Sequence, residues 1–259
     1  MSIDLYVKGI SKASFCKPTI DQPYISFAHF ISLQPRECMK VRDEFNPDVM
    51  LLGKLLYVWL PTPPKKSANQ LAYAENCRQR LVEVASHADF DRVLLDVRGN
   101  IGGVLSTVIN AIYPIIADKI DGKYLSGISK TGKEVATFEI RDGIHILNVS
   151  GTSMDTYLIP IQPELRTVFV GKPIDAFCNK YTMSTGEIIC IIVRKLGGKL
   201  YGERTRGLTN GMEIVSEPGV KSAYVPYYSI ADGKKIYNGV DPDYNFSALR
   251  SYLSKYQSK

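Results

Sequence analysis

Apolar residues occur along the chain in short runs that have the length and composition of buried strands. The run at residues 55–60 ends at Pro61, since proline cannot donate a hydrogen bond to a sheet. The run at 92–97 is of the kind that is buried on both faces of a sheet, and 167–171 resembles it. The pattern therefore predicts three core strands with long segments between them.

Helical periodicity fills two of these intervals and follows the third run. Residues 67–87 read as an amphipathic helix, and 104–116 as an apolar helix that Pro114 kinks. Apolar residues 188–196 predict a third helix, which ends at Gly197-Gly198. On the first helix the expected buried face comprises Leu71, Ala74, Cys77, Leu81 and Val84, with Glu75, Arg78 and Arg80 elsewhere.

The other segments show two-residue alternation and turn signals. Residues 24–33 alternate in part and predict an extended segment that contains His29. Residues 123–160 predict antiparallel strands, with a hairpin whose turn is Arg141-Asp142-Gly143. A helix is expected at about 245–256. The alternation of strands and helices from 54 to 210 predicts one α/β core.

Composition narrows the classes of protein that fit. The 259 residues are 45% hydrophobic and 22% charged, as in a packed globular chain. The net charge of +6 is scattered, which argues against a nucleic-acid groove. Five cysteines and three histidines show no metal-ligand spacing, and neither a metal nor another cofactor is predicted. Without a signal peptide or a long apolar stretch, we expect a cytoplasmic protein away from membranes.

The stretch at residues 179–187 is the most informative of the chain. Ser184 and Glu187 have the spacing of a capping box at the start of the third helix. One interpretation is a well-capped buried helix. The other is a serine nucleophile at a helix N-terminus, where free N–H groups and the helix dipole would stabilise an oxyanion.

Four segments in one order carry a resemblance to a known family. They read LDVRGNIGG at 95–103, NKYTMSTGE at 179–187, GERTRG at 202–207 and GVDPD at 239–243. Together they resemble the C-terminal processing (tail-specific) serine peptidases, a family that includes the tricorn protease core and the nisin-resistance protease. A dinucleotide-binding alternative is disfavoured because the glycines read GxxGG rather than GxGxxG.

The resemblance implies an α/β fold with a Clp/crotonase-like core of stacked strand-strand-helix units. It divides the chain into an N-terminal segment, 1–52, and a catalytic core, 53–259, which leaves no room for a PDZ domain. It makes Ser184 the nucleophile and Thr185 an oxyanion donor, together with Gly102 or Gly103, a choice that stays open. The supporting residues would be Glu187 and Asn100.

The chain departs from the family at the general base. The bacterial processing enzymes carry a lysine just after G-x-x-T-x-G, where this chain has Leu208. The tricorn-like and nisin-resistance-like branches use a histidine upstream of the core's first strand, and His29 has that position, whereas His87 and His145 do not. The resemblance therefore favours the histidine-using branches. A third, orienting group stays unassigned among Asp232, Asp241 and nearby serines.

The function expected from these residues is serine-type hydrolysis of peptide bonds in a peptide or protein substrate. Leu208 motivates an alternative, a catalytically inactive relative that binds extended peptides. A crotonase-like acyl-CoA enzyme shares the fold class, but the sequence around Ser184 argues against it. The sequence predicts no oligomeric state.

Overall fold

The computed structural model describes residues 46–64, 67–215, 223–233, 235–248 and 251–252. The extended segment predicted at 24–33, with His29 in it, lies outside the described residues. The fold below is therefore that of the predicted core and of the last residues before it.

The first sheet is built mainly from parallel strands. Its strands are β1 (Asp48–Leu52), β2 (Leu55–Trp59), β3 (Arg92–Asp96), β8 (Ile174–Cys178) and β9 (Leu200–Gly202). They lie in the order β1-β2-β3-β8-β9, with β1 antiparallel to β2 and the other neighbours parallel. Since parallel strands end at the same edge, the loops that follow β3 and β8 lie side by side.

Three helices connect the strands of this sheet. They are α1 (Ser67–Ala85), α2 (Leu105–Ile116) and α3 (Thr185–Lys195). Each lies where the apolar periodicity predicts a helix, and Pro114 is inside α2. Helix α1 packs against α2, while α3 packs on β8 and β9. The core of the molecule lies between these helices and the sheet.

A second sheet is antiparallel throughout. Its strands are β4 (Gly122–Ile128), β5 (Glu134–Arg141), β6 (Ile144–Val149), β7 (Thr152–Tyr157), β10 (Asn210–Val215), β11 (Ala223–Asp232) and β12 (Lys235–Ile236). The order is β10-β11-β4-β5-β6-β7, and β12 pairs with β11. The predicted hairpin is confirmed as β5–β6, and Asp142 and Gly143 both have positive φ, 50° and 74°, as its tight turn requires.

The prediction of a strand at residues 167–171 is wrong. Those residues form turns, and Val170 is 57% exposed, whereas the strand that enters the sheet is β8, beyond Pro173. The apolar pattern did not reveal strand β8, because the charged residue Asp175 interrupts the apolar run. Its fully buried carboxylate accepts hydrogen bonds from Arg92 at 2.8 Å and from the N–H of Lys199 at 2.8 Å.

The buried face predicted for α1 needs two corrections. Leu71 is 54% exposed, and Arg78, which was placed off that face, is completely buried. The Arg78 guanidinium donates to the carbonyls of Asn110 and Pro160 and to the side chain of Gln162. These acceptors offset the cost of taking the cation out of water, and burial lowers the pKa of Arg78 to about 10.

Within the described ranges, no helix combines the length and the apolar content that crossing a bilayer requires.

His145 is a buried residue of the second sheet. It lies on β6, is 2% exposed, and its Nε2 is 2.8 Å from the hydroxyl of Tyr124. Burial disfavours the charged imidazolium and lowers the pKa of His145 from 6.5 to about 4. In the folded protein this ring is therefore neutral at neutral pH, and its role is to fill the sheet.

The lowered pKa makes stability depend on pH. Between pH 6.5 and 4 the unfolded chain binds a proton at His145 that the folded chain does not, so stability falls as the pH is lowered. We expect His145 to account for a loss of about 2 kcal/mol in the free energy of unfolding between pH 7.5 and 5. Urea denaturation at both pH values would measure it.

His145→Gln should reduce that loss by the stated amount, while His87→Gln, at an exposed histidine near the end of α1, should leave it unchanged. An identical pH dependence in the His145 variant would contradict the assignment.

Candidate active site

Ser184 lies on a strained turn between strand β8 and helix α3. Its backbone angles are φ 52° and ψ −117°, a region that residues with a side chain rarely adopt. Such a conformation costs about 1–3 kcal/mol and persists only where the surroundings enforce it. A serine on a sharp strand-to-helix turn is also the geometry of the nucleophile elbow in α/β-hydrolases.

Glu187 is one of the residues that enforce this turn. It forms the predicted capping box with Ser184, whose N–H donates to Oε2 at 2.9 Å. The same carboxylate accepts from the Thr205 hydroxyl at 2.5 Å and from the N–H groups of Gly207 and Leu208 at 2.6 and 2.8 Å. Four donors thus surround a side chain that is fully buried, and they join the turn at Ser184 to residues 205–208.

Asn100 fixes the glycine loop that faces Ser184. Its buried amide donates to the carbonyls of Leu60 and Pro61, at 3.1 and 3.2 Å. Its side-chain oxygen accepts from the N–H of Gly102 at 3.0 Å, and its backbone carbonyl accepts from the N–H of Met183 at 2.9 Å. One residue therefore connects the segment after β2, the glycine loop and the residue before Ser184.

Asn179 has a similar role that the sequence did not assign. Its side-chain oxygen accepts from the N–H groups of Gly99 and Tyr181, at 3.2 and 3.1 Å. The Thr182 hydroxyl donates to the carbonyl of Val97 at 2.9 Å. The loops after β3 and β8 are thus joined at several points. In the sequence, Asn179 stood out only as the first residue of the segment at 179–187.

Gly102 touches Ser184 so closely that no side chain fits there. A Cβ on Gly102 would lie 2.6 Å from the Cβ of Ser184 and 3.0 Å from its Oγ. Gly102 also has φ 96°, which favours glycine. The glycine loop therefore reaches the serine hydroxyl with its backbone.

Among the described residues, two backbone N–H groups at this site make no hydrogen bond. Across the described part of the chain, neither the N–H of Gly103 nor that of Thr185 has a hydrogen-bond partner, whereas the N–H of Gly102 is held by Asn100. The Thr185 hydroxyl donates to the carbonyl of Gly103 at 2.8 Å and so holds the two residues together. Thr185 is the first residue of α3, where the helix dipole is positive.

A buried ion pair stabilises the start of the glycine loop. The carboxylate of Asp96, at the end of β3, accepts from the Arg98 guanidinium at 2.7 Å and from the Arg98 N–H at 2.9 Å. The guanidinium also stacks on the ring of Phe177, 3.9 Å from its centroid. Because both charges are buried, loss of either partner would leave an uncompensated ion in the core.

The residues considered as the base or as the third group differ in their surroundings. His29 is outside the described residues, and His145 is buried against Tyr124. Both aspartates that were considered for a third group are ion-paired, Asp232 with Lys195 at 2.6 Å and Asp241 with Arg204 at 2.5 Å. Leu208, at the family's lysine position, is 49% exposed.

A comparison with known families decides the class of this chain. The pattern of peptidase family S41 matches residues 55–246, well over half of the chain. The chain belongs to peptidase family S41. The predictions of a serine-type peptidase family and of a mixed α/β fold are therefore confirmed. No curated protein matches the chain significantly.

Solved structures share the fold of this S41 chain at low identity. A lipoprotein from Streptococcus agalactiae aligns with a TM-score of 0.57 and 16% identity, over 86% of this chain and 74% of its own. A putative S41 protease from Bacteroides fragilis aligns with a TM-score of 0.50 and 16% identity, over 83% of this chain and 53% of its own. A putative peptidase from Parabacteroides merdae aligns with a TM-score of 0.50 and 14% identity, over 83% of this chain and 67% of its own. The S41 chain thus spans about half of the Bacteroides protein.

The contact between Gly102 and Ser184 leads to a stability prediction. Gly102→Ala combines a positive φ with a Cβ that meets the Ser184 side chain, while Gly132→Ala has a similar φ, 80°, and open space around it. We expect the first change to cost at least about 1 kcal/mol more than the second. Chemical denaturation of both variants would measure the difference, and equal costs would show that Gly102 does not lie against the Ser184 side chain.

Proposed function

We propose that this S41 chain hydrolyses peptide bonds through an acyl-enzyme on Ser184, with His29 as the general base. The observation that carries the proposal is the strained backbone of Ser184, φ 52°, at the N-terminus of α3 and against a side-chain-free backbone at Gly102. Backbone strain of this kind costs the folded protein stability, and it is retained where function needs the side chain in that orientation. The substrate would be a peptide or protein segment, and a cytoplasmic location stays a prediction.

The oxyanion would be held by the N–H groups of Gly103 and Thr185. Both lack a partner within the described ranges, and the Thr185 hydroxyl ties the two residues together. Gly102 is the weaker candidate because its N–H already donates to Asn100 at 3.0 Å. An N–H that must first break a hydrogen bond is a poor preorganised donor. Asn100 and Glu187 would then be positioning residues, which hold the glycine loop and the serine turn.

The reaction would proceed in two steps, acylation of Ser184 and hydrolysis of the acyl-enzyme. The Ser184 Oγ attacks the carbonyl carbon of the scissile bond, and the His29 imidazole takes the hydroxyl proton. The tetrahedral oxyanion collapses as the amine leaves with that proton, which gives the acyl-enzyme. A water molecule, deprotonated by the same imidazole, then attacks the ester and releases the acid and the free serine.

The assignment of His29 as the base rests on its place in the sequence. A serine hydroxyl is a weak nucleophile unless a base lies within hydrogen-bond reach. Leu208 supplies no base at the position of the family lysine, and the neutral ring of His145 is committed to the second sheet. Imidazole titrates near neutral pH, which suits a base that must take and return a proton.

Leu208 is also the observation that favours a second candidate, an inactive relative that binds peptides. Such a protein would retain the fold but lack a base, and extended peptides could add to the edge of a sheet without cleavage. Calorimetry distinguishes the two, since this candidate predicts peptide binding without turnover that Ser184→Ala and His29→Ala leave unchanged.

The nucleophile can be tested with a fluorophosphonate probe, which reacts with activated serines. We expect labelling of the intact protein at Ser184, located by mass spectrometry of the labelled peptide. Ser184→Ala should fold, lose the label and lose peptide hydrolysis. Ser153→Ala, at an exposed serine of β7, should keep both. Labelling that survives in the Ser184 variant would identify another nucleophile.

The base can be tested through the pH profile of peptide hydrolysis. Only neutral imidazole accepts the proton, so kcat/KM should fall on the acid side of the profile, by about tenfold per pH unit. His29→Ala should lower kcat/KM by about 10²–10⁴ and remove this acid limb. His87→Ala provides the control with an unchanged profile. A His29 variant that keeps both the rate and the acid limb would rule out this base.

A further inference from the structure

Two large apolar side chains are exposed to solvent beside Ser184. Val104 is 44% exposed and Leu208 is 49% exposed. Single exposed apolar residues are common on soluble proteins, so exposure alone carries no argument. The argument rests on where the structure holds these two residues.

Leu208 is attached to the nucleophile turn through one carboxylate oxygen. The Oε2 of Glu187 accepts from the N–H of Ser184 at 2.9 Å and from the N–H of Leu208 at 2.8 Å. The two backbone nitrogens therefore cannot be more than 5.7 Å apart, the sum of the two distances. Because Glu187 is buried and fully bonded, Leu208 has a fixed position next to the serine.

Val104 is attached to the same turn from the glycine loop. The carbonyl of Gly103, which is bonded to the Val104 nitrogen, accepts from the Thr185 hydroxyl at 2.8 Å. Val104 is also the residue that precedes helix α2, with extended backbone angles of φ −73° and ψ 116°. The loop and the helix thus hold this side chain beside the proposed oxyanion donors.

We propose that Val104 and Leu208 form an apolar binding surface for the substrate residues that flank the scissile bond. The inference rests on the proposed function and deepens it, because it names the substrate class as peptides with an apolar side chain next to the cleaved bond. A substrate whose scissile carbonyl lies between Ser184 and the N–H of Gly103 would have its flanking residues near Val104 and Leu208, and an apolar substrate side chain would remove them from water.

A competing preference would come from Arg206, an exposed residue two positions before Leu208. If its cation were the group that reads the substrate, acidic side chains would be favoured next to the cleaved bond. The two preferences are opposite in chemistry, so one experiment separates them.

The test is a set of quenched fluorescent peptides that differ only in the two residues flanking the scissile bond, with Leu, Ser, Asp or Lys there. We expect kcat/KM for the Leu peptides to exceed that for the Ser peptides by about tenfold or more. Leu208→Ser and Val104→Ser should each reduce this Leu-to-Ser ratio several-fold. Leu71→Ser, at an exposed leucine of α1, should leave the ratio unchanged.

The ratio is the deciding quantity because general damage to the nucleophile cancels from it. A protein that is labelled at Ser184 but cleaves all the peptides equally, prefers Asp, or keeps its ratio in both variants contradicts this inference alone. A protein that neither reacts with the fluorophosphonate nor cleaves any peptide contradicts the proposed function, and the apolar surface fails with it.

Discussion

The buried carboxylate of Glu187 holds the candidate site together. An isolated carboxylate in the core would be costly, but four donors surround this one, from the serine turn and from residues 205–208. Those bonds oppose the backbone strain of Ser184, which would otherwise relax the turn. The position of the hydroxyl therefore depends on a residue one helical turn further along the chain.

The topology of the first sheet supplies the second constraint. Because β3 and β8 are parallel neighbours, the glycine loop and the serine turn leave the sheet at the same edge. Two hydrogen bonds then join the loops: the side-chain oxygen of Asn179 accepts from the N–H of Gly99, and the backbone carbonyl of Asn100 accepts from the N–H of Met183. The close approach of Gly102 to Ser184 follows from this arrangement, and a side chain on the loop would prevent it.

Local patterns predicted much of this structure. Helical periodicity predicted α1, α2 and α3, the turn residues predicted the β5–β6 hairpin, and the spacing of Ser184 and Glu187 predicted the capping box. These features depend on neighbours in the sequence. Strand β8 was missed because the partners of Asp175 come from Arg92 and Lys199, which are distant along the chain.

The same limit applies to the site. The four motif segments identified the family, but they left Gly102 and Gly103 equivalent. As oxyanion donors the two glycines differ because the side-chain oxygen of Asn100 already accepts from the N–H of Gly102. Arg78 is a similar case, since its burial depends on carbonyl groups supplied by α2 and by the segment after β7.

The most direct measurement is a crystal structure of the protein after its reaction with a fluorophosphonate. The account predicts phosphorus bonded to Ser184 Oγ, with the phosphoryl oxygen about 2.7–3.1 Å from the nitrogens of Gly103 and Thr185. The backbone of Ser184 should keep its positive φ. A phosphoryl oxygen directed away from both nitrogens, or a serine turn that relaxes to ordinary angles, would contradict it.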